Sequence, residues 1–298
     1  MKKCFSLLYA EISKKSITFA PDFSKTEVMA RQLVSVIMPT FNAGKFLAGS
    51  IESILSQTHK ELELLITDDG SSDALTLQIL KEYSQKDNRV KVEYLQGNHG
   101  PAYARNQSIS RAEGRYIAFC DSDDRWMPEK LERQIRFMAE KDCALSYSSY
   151  IVCDDTNKEI GITIAPKRLS FNMLKRDNKV GCLTAIYDTE KLGRKYDMPQ
   201  LRKRQDWGLF LAILRDCGIA YGITEPLAWY RHRSHSVSSN KFSLITYNIK
   251  VYEMVLDYPR WKAVLYFFCL FLPTYYIKVI KRKRDSQKYL SEKCKDAQ

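Results

Sequence analysis

Two carboxylates separated by a single residue, Asp121-Ser122-Asp123, come directly after a short apolar run, Tyr116 to Cys120. Alternate residues of extended chain point the same way and a turn can converge them, so this spacing can present both carboxylates to one cation. Hard oxygen donors suit Mg²⁺ or Mn²⁺, which bind through one or two carboxylates and complete their octahedra with water and substrate phosphates. A cation there would stabilise the charge of a departing diphosphate as a Lewis acid, which points to a nucleotide-diphosphate donor. A plainer duty is also open, with Asp123 or Asp124 capping a helix that begins near Pro128. Asp69, in Asp68-Asp69-Gly70-Ser71-Ser72-Asp73, could hydrogen-bond a base or ribose, or simply close an Asp-Gly turn. Asp206, beside Trp207 at the head of an apolar helix, is either a general base aimed by free N–H groups and the helix dipole or an N-cap with no other duty. No second, nucleophilic carboxylate is identifiable near it, which is consistent with single displacement.

The elements that must position these groups alternate. Val34 to Met38 is a β-branched-rich run stopped by Pro39 and predicts a buried parallel strand. Phe46, Leu47, Ile51, Ile54 and Leu55 recur at helical spacing; Leu62 to Thr67 is a second strand, Leu75 to Tyr83 a helix, Val90 to Tyr94 a strand, Ala102 to Arg111 a helix and Tyr116 to Cys120 a fourth strand. This alternation predicts an α/β fold with a mostly parallel central sheet flanked by helices, and ligands of such sheets sit beyond the carboxyl ends of the strands. The second half is less regular: strands over Ala144 to Val152 and Thr184 to Tyr187, then an apolar helix, Leu209 to Leu214, that Gly218 could cap.

Taken in order, Val34-Ser35-Val36-Ile37-Met38-Pro39-Thr40-Phe41-Asn42, Ser53-Ile54-Leu55-Ser56-Gln57, Asp68-Asp69-Gly70-Ser71-Ser72-Asp73, Ala104-Arg105-Asn106, Gly114-Arg115-Tyr116-Ile117, Asp121-Ser122-Asp123-Asp124 and Gln205-Asp206-Trp207 resemble glycosyltransferase family 2 of the bacterial surface-polysaccharide type. The resemblance covers about residues 33 to 240 and implies a GT-A fold, a nucleotide-binding half followed by an acceptor-binding half. By position it implies that Phe41 and Asp69 contact the uracil and ribose, with Pro39, Thr40, Asn42 and Arg105 also in the nucleotide-sugar site. It further implies Asp121 as ribose or metal contact, Asp123 as principal metal ligand and Asp206 as general base of an inverting transfer. Three departures stand out. Gln205 replaces the Glu that many relatives carry before the base. In Tyr230-Arg231-His232-Arg233 the family's Tyr-Arg-x-His has Arg233 at the His position, with His232 one residue earlier; either could reach the diphosphate, Arg233 by bidentate hydrogen bonds without pH dependence. The Gln-x-x-Arg-Trp motif of processive synthases does not occur, which favours transfer of one sugar at a time.

Composition frames the rest. The 298 residues are 45% hydrophobic, enough for a large core, and exclude a disordered or fibrous protein. Lys and Arg number 47 against 35 Asp and Glu, and the resulting +12 suggests an anionic partner. Residues 166 to 204 alone carry eleven basic against four acidic residues. Eight cysteines without a C-x-x-C pair or zinc spacing suggest a reducing compartment. Residues 1–32 form an N-terminal extension and 33–240 the catalytic domain; 241–298 form an apolar helical region with a basic tail. Ala263 to Ile277 is fifteen uncharged residues, short of the ~20 that span a bilayer, and Pro273 is expected to kink it. Its flanks, ending in Lys281-Arg282-Lys283-Arg284, fit a helix lying in an anionic membrane surface. The expected enzyme is therefore peripheral at the cytoplasmic face of the cell membrane. It uses a UDP-sugar and Mn²⁺ or Mg²⁺ and extends a saccharide carried on a polyprenyl diphosphate, with no nucleic-acid partner. A D-x-D phosphohydrolase and a basic membrane- or nucleic-acid-binding protein are the rival readings. The first fits poorly because Asp124-Arg125 follows the pair and three strands precede it; the second lacks any recognised binding signature.

Overall fold

The computed structural model describes residues 32–233 and 241–296. All but the last residue of the N-terminal extension, and the stretch Ser234–Ser238 with His235, lie outside the described residues. The first half alternates as β1 (Val34–Thr40), α1 (Gly44–Leu55), β2 (Leu62–Asp68), α2 (Ala74–Lys86), β3 (Val90–Tyr94), α3 (Pro101–Arg111) and β4 (Tyr116–Phe119). Local chemistry sets several ends. The Asp73 carboxylate caps α2 by accepting the Leu75 and Thr76 N–H groups. Gly100, at φ 96°, turns the chain into α3, where Pro101 takes the first position. β1 runs two residues past the expected stop: its ladder with β4 ends at Ile37, so Pro39 sits where only β2 runs alongside, a position that tolerates a missing N–H.

The second half comprises β5 (Arg125–Trp126), α4 (Lys130–Glu140), β6 (Leu145–Cys153), β7 (Glu159–Thr163), β8 (Arg168–Ser170), α5 (Phe171–Leu174), a 3₁₀ turn (Cys182–Thr184), β9 (Ile186–Asp188), α6 (Thr189–Leu192), α7 (Gln205–Cys217) and β10 (Ile219–Arg231). The ten strands among the described residues form one sheet in the order β3-β2-β1-β4-β9-β6-β10-β5, with β7 on β6 and β8 on β10. The sheet is parallel across β3-β2-β1-β4 and mixed beyond, where β9 runs antiparallel to both β4 and β6 while β10 is parallel to β6. The strand expected over Thr184 to Tyr187 divides into the 3₁₀ turn and β9. The seven described cysteines are free.

Period-two alternation sends the strands' side chains to two cores. Val34, Val36 and Met38 pack with Leu47, Ile51 and Leu80 on one face; Ile37 and Leu65 join Trp207, Phe210 and Leu214 of α7 on the other. That second core continues into the C-terminal helices α8 (Lys241–Leu256), α9 (Arg260–Tyr266) and α10 (Leu272–Asp296) through Val251, Tyr252, Ala263, Phe267 and Phe271. A π-helical turn, Phe267–Phe271, joins α9 to α10. The chain is helical through Pro273, and the wider turn just before it leaves room for the ring and for the hydrogen bond that proline cannot donate. Arg260–Lys295 is thus one helix long and apolar enough to cross a membrane by length and composition, with a mean hydropathy of 1.7 over its most apolar window. Its distal part lies along β7, where Gly161 lets the helix approach the strand backbone and Ser286 meets Ile162.

Candidate active site

The loops at the carboxyl ends of β1, β2 and β4 meet on one rim, as an open α/β sheet requires. At the end of β1, Thr40 is buried, and its carbonyl accepts the Asp69 N–H at 2.8 Å. Phe41 is 48% exposed. Asn42, at φ 47°, ties this loop to the next: its Oδ1 accepts the N–H groups of Ser72 and Asp73, each at 3.0 Å, and its own N–H donates to Ser71 Oγ. The Asp69 carboxylate is buried and accepts the N–H groups of His99 and Gly100 at 2.8 and 2.7 Å, which fixes the entry to α3. It is therefore more than the closure of an Asp-Gly turn: it binds two loops of the rim together.

The three aspartates after β4 divide their work. Asp121 pairs with Arg105 of α3, whose guanidinium is buried with Nε and Nη1 left unpartnered. Burial opposes the Arg105 charge, but Asp121, with smaller contributions from Cys182 and Asp206, more than offsets this and holds its pKa above the ordinary value. Asp123 accepts from Arg233 at 3.3 Å. Burial, then the neighbouring Asp121 charge, raises its carboxyl above the usual range, against the pull of Arg233. Asp124 is turned inward, where its Oδ1 accepts the Arg231 N–H at 2.9 Å. Arg231 in turn donates to the carbonyls of Asp123 and Asp154, each at 3.0 Å, and to Asn157 Oδ1 at 2.8 Å, with its guanidinium 4.2 Å from the Phe46 ring centroid. Neither Asp123 nor Asp124 caps a helix: α4 begins at Lys130 with Glu129 at the N-cap and no side-chain cap. The capping alternative fails because Pro128 is followed by a turn, and Asp124 is drawn instead to β10.

Asp206 is likewise not an N-cap. Arg204, at φ 66°, holds that position without a capping side chain, and Asp206 is the second residue of α7. Its Oδ2 accepts Asn178 Nδ2 at 3.0 Å. The Asp121 charge first, and that of Asp206 last and least, help to raise the Arg105 pKa. His232 is exposed and tied by its main chain to Cys153. Of the two candidates at that motif, Arg233 is the one whose side chain reaches the carboxylates. Arg231, Asn178 and Phe46 carry much of the scaffold and were not singled out from sequence. Arg231 lay within a noticed motif, whereas nothing in the spacing marks Asn178.

Among the described residues no group of three or more His, Cys, Asp or Glu side chains converges as a metal cage. Asp121 and Asp123 nonetheless fit a divalent ion of the Mg²⁺ or Mn²⁺ kind: two hard carboxylates crowd each other, and such ions take only one or two protein carboxylates. A cavity of about 540 Å³ lined by Arg133, Arg136, Lys167, Arg168 and Tyr221 opens at the opposite, amino-terminal end of β10 and includes none of these residues.

A parallel half, a mixed half and a carboxylate rim at the carboxyl ends of the strands make up a GT-A fold. Residues 35–198 match the family described as Glycosyl transferase family 2, and the chain belongs to that family. TuaG of Bacillus subtilis (strain 168), provisionally named a teichuronic acid biosynthesis glycosyltransferase, is 41% identical over 213 residues, covering 71% of this chain and 84% of TuaG. WfgD of Escherichia coli, a UDP-Glc:alpha-D-GlcNAc-diphosphoundecaprenol beta-1,3-glucosyltransferase, is 39% identical over 211 residues, 70% of this chain and 81% of its own. Among solved structures, S. aureus TarS 1-349 in complex with UDP-GlcNAc superposes with a TM-score of 0.60 at 20% identity, covering 77% of this chain and 69% of that one. The mannosyltransferase PcManGT from Pyrobaculum calidifontis, in complex with GDP-Man and Mn²⁺, gives 0.56 at 15% identity, covering 82% and 74%.

Proposed function

We propose that this glycosyltransferase moves one sugar at a time from a UDP-sugar to a hydroxyl of a polyprenyl-diphosphate-linked saccharide in surface-polysaccharide synthesis, with inversion and with the help of a divalent cation. The observation that carries the reading is the carboxylate rim after β4, where Asp121 holds the buried Arg105 and Asp123 meets Arg233, together with Asp206 held by Asn178 in the first turn of α7. Asp206 takes the proton of the acceptor hydroxyl while that oxygen bonds to the anomeric carbon and the carbon–oxygen bond to UDP breaks, the electron pair leaving with the nucleotide. Phe41, exposed at the end of β1, covers the base, and the turn built by Pro39, Thr40, Asn42 and Asp69 lines the uridine side. Asp123, with Asp121, would hold Mn²⁺ or Mg²⁺, which supplies charge neutralisation to the departing diphosphate. Arg233, whose contact to Asp123 is long at 3.3 Å, turns to the diphosphate oxygens. TarS with UDP-GlcNAc and PcManGT with Mn²⁺ support the donor and the ion, and WfgD supports the lipid-linked acceptor.

In this reading residues 33–240 are the catalytic domain and 241–298 the membrane-facing region. The outer face of the C-terminal helix supports a peripheral position at the cytoplasmic leaflet: Trp261, Leu265, Phe268, Tyr276 and Ile277 are exposed there, followed by the basic run 281–284. Its distal part is committed to β7, so the helix lies in the interface instead of crossing it.

The test is Asp206→Asn. Transfer falls by about 10²–10⁴-fold, the worth of a general base, while Mn²⁺-dependent UDP binding by calorimetry is retained; Asp123→Ala loses that binding. Equal loss of transfer and UDP binding in Asp206→Asn would make the residue structural and refute the assignment.

A further inference from the structure

Asn178, the partner of Asp206, belongs to a segment pinned from several sides. Trp207 Nε1 of α7 donates to the Leu174 carbonyl at 2.9 Å, and Tyr252 of α8 donates its hydroxyl to the Lys175 carbonyl at 2.9 Å. Lys278 of α10 then donates to the Asn178 carbonyl at 2.8 Å and to Asp177 Oδ1 at 2.6 Å. Asp177 is buried, with Lys179 at 3.8 Å as a second cation. The Asn178 side chain has its orientation dictated: Oδ1 accepts the Val180 N–H at 3.1 Å, so Nδ2 must face Asp206. A side chain held at its own backbone and at both ends of its amide has one direction in which to hold the carboxylate.

We infer that Lys278 is a positioning residue for the general base: from the apolar C-terminal helix it fixes the Asp177–Asn178 turn, and with it the direction in which Asn178 holds the Asp206 carboxylate. This rests on the reading of Asp206 as the base. Lys278 follows Tyr276 and Ile277, both exposed on the outer face of the same helix, so the element offered to the acceptor's lipid also braces the group that deprotonates the acceptor. No contact to substrate is needed; Lys278 acts through Asn178.

The experiment measures UDP release from UDP-glucose, UDP-galactose and UDP-N-acetylglucosamine with an N-acetylglucosamine-diphosphoundecaprenol acceptor, alongside hydrogen exchange of the 175–182 peptide and Tm. Lys278→Met is expected to lower kcat about 10-fold or more, the scale of a small misalignment, with the donor KM unchanged and faster exchange at 175–182. Lys278→Arg, which keeps donors for both acceptors, retains most of the rate. Removing the lysine strands the buried Asp177 charge, so Asp177→Asn/Lys278→Met separates folding from positioning: Tm recovers, yet kcat stays low because the Asn178 carbonyl is still unheld. Lys278→Met combined with Asn178→Ala is no slower than Asn178→Ala alone, since both act through one contact. Exposed Lys288→Met matches the wild type in every readout. Wild-type kcat or unchanged exchange in Lys278→Met would overturn the inference, as would losses that add in the double variant. If Asp206→Asn keeps full activity, it is the base assignment that fails, and the role of Lys278 falls with it.

Discussion

At the scale of single residues, one motif holds three fates. Asp121-Ser122-Asp123-Asp124 was legible as a carboxylate cluster after a strand, but the inward turn of Asp124 was not, because its partner, the Arg231 N–H, lies 107 residues away in the chain. Asn178 was invisible for the same reason: a lone amide in a basic stretch has no signature until α7 is brought beside it. Lys130 is a third case. It is fully buried, donates to Gln134 Oε1 at 3.0 Å and lies 4.2 Å from the Trp126 ring centroid. Burial lowers its pKa to about 7 from 10.5. Between those values the unfolded chain binds a proton that the folded chain does not, so this lysine makes stability rise with pH through the window; below it the group is charged in both states and the burial penalty is complete. Denaturant titrations of the wild type and Lys130→Met at pH 7 and pH 9.5 should show the wild type gaining stability relative to the variant at the higher pH. Parallel behaviour would mean that the amine stays solvated.

At the scale of elements, legibility followed periodicity. The strands of the parallel half are either largely apolar runs, as in β1, β2 and β4, or a clean alternation, as in β3, and could be read to within a residue or two, whereas β10 escaped notice. Its sequence, IAYGITEPLAWYR, contains Gly222, Glu225 and Pro226, and its ladder with β6 shifts register on both sides of Pro226. Bulges of this kind break the alternation by which a strand is recognised. Short β5, β7 and β8 offer too few residues to establish a period at all. The seating of α10 on β7 is equally hidden, since it depends on a glycine opposite a serine 125 positions later. A Cβ added at Gly161 would lie 2.6 Å from Ser286 Oγ. Gly161→Val should therefore lift the helix from the strand: Tm falls, and trypsin cuts at the Lys281–Arg284 run much faster than in the wild type, as mass spectrometry would register. An unchanged digestion pattern would show that Ser286 yields without cost.

For the molecule as a whole, the order of motifs carried the family and the fold, but neither it nor the +12 charge revealed that the C-terminal helices complete the core that α7 forms with the sheet. Trp207, next to Asp206, packs against Tyr252 and Phe271, each with ring centroids 5.4 Å apart. Truncation after Leu256 should consequently cost folding, and the product should run as a high-molecular-weight species in size-exclusion chromatography even in detergent; a monodisperse, active truncate would contradict this. The reason for oligomers, and not mere unfolding, lies in a single hydroxyl. Ser286 accepts the Ile162 N–H at 3.0 Å and donates to the Ile162 carbonyl at 3.1 Å on the side of β7 where no strand among the described residues pairs. Stripped of that serine, the border of the sheet becomes an unfilled template, and the first extended segment to arrive from another copy can stitch itself on.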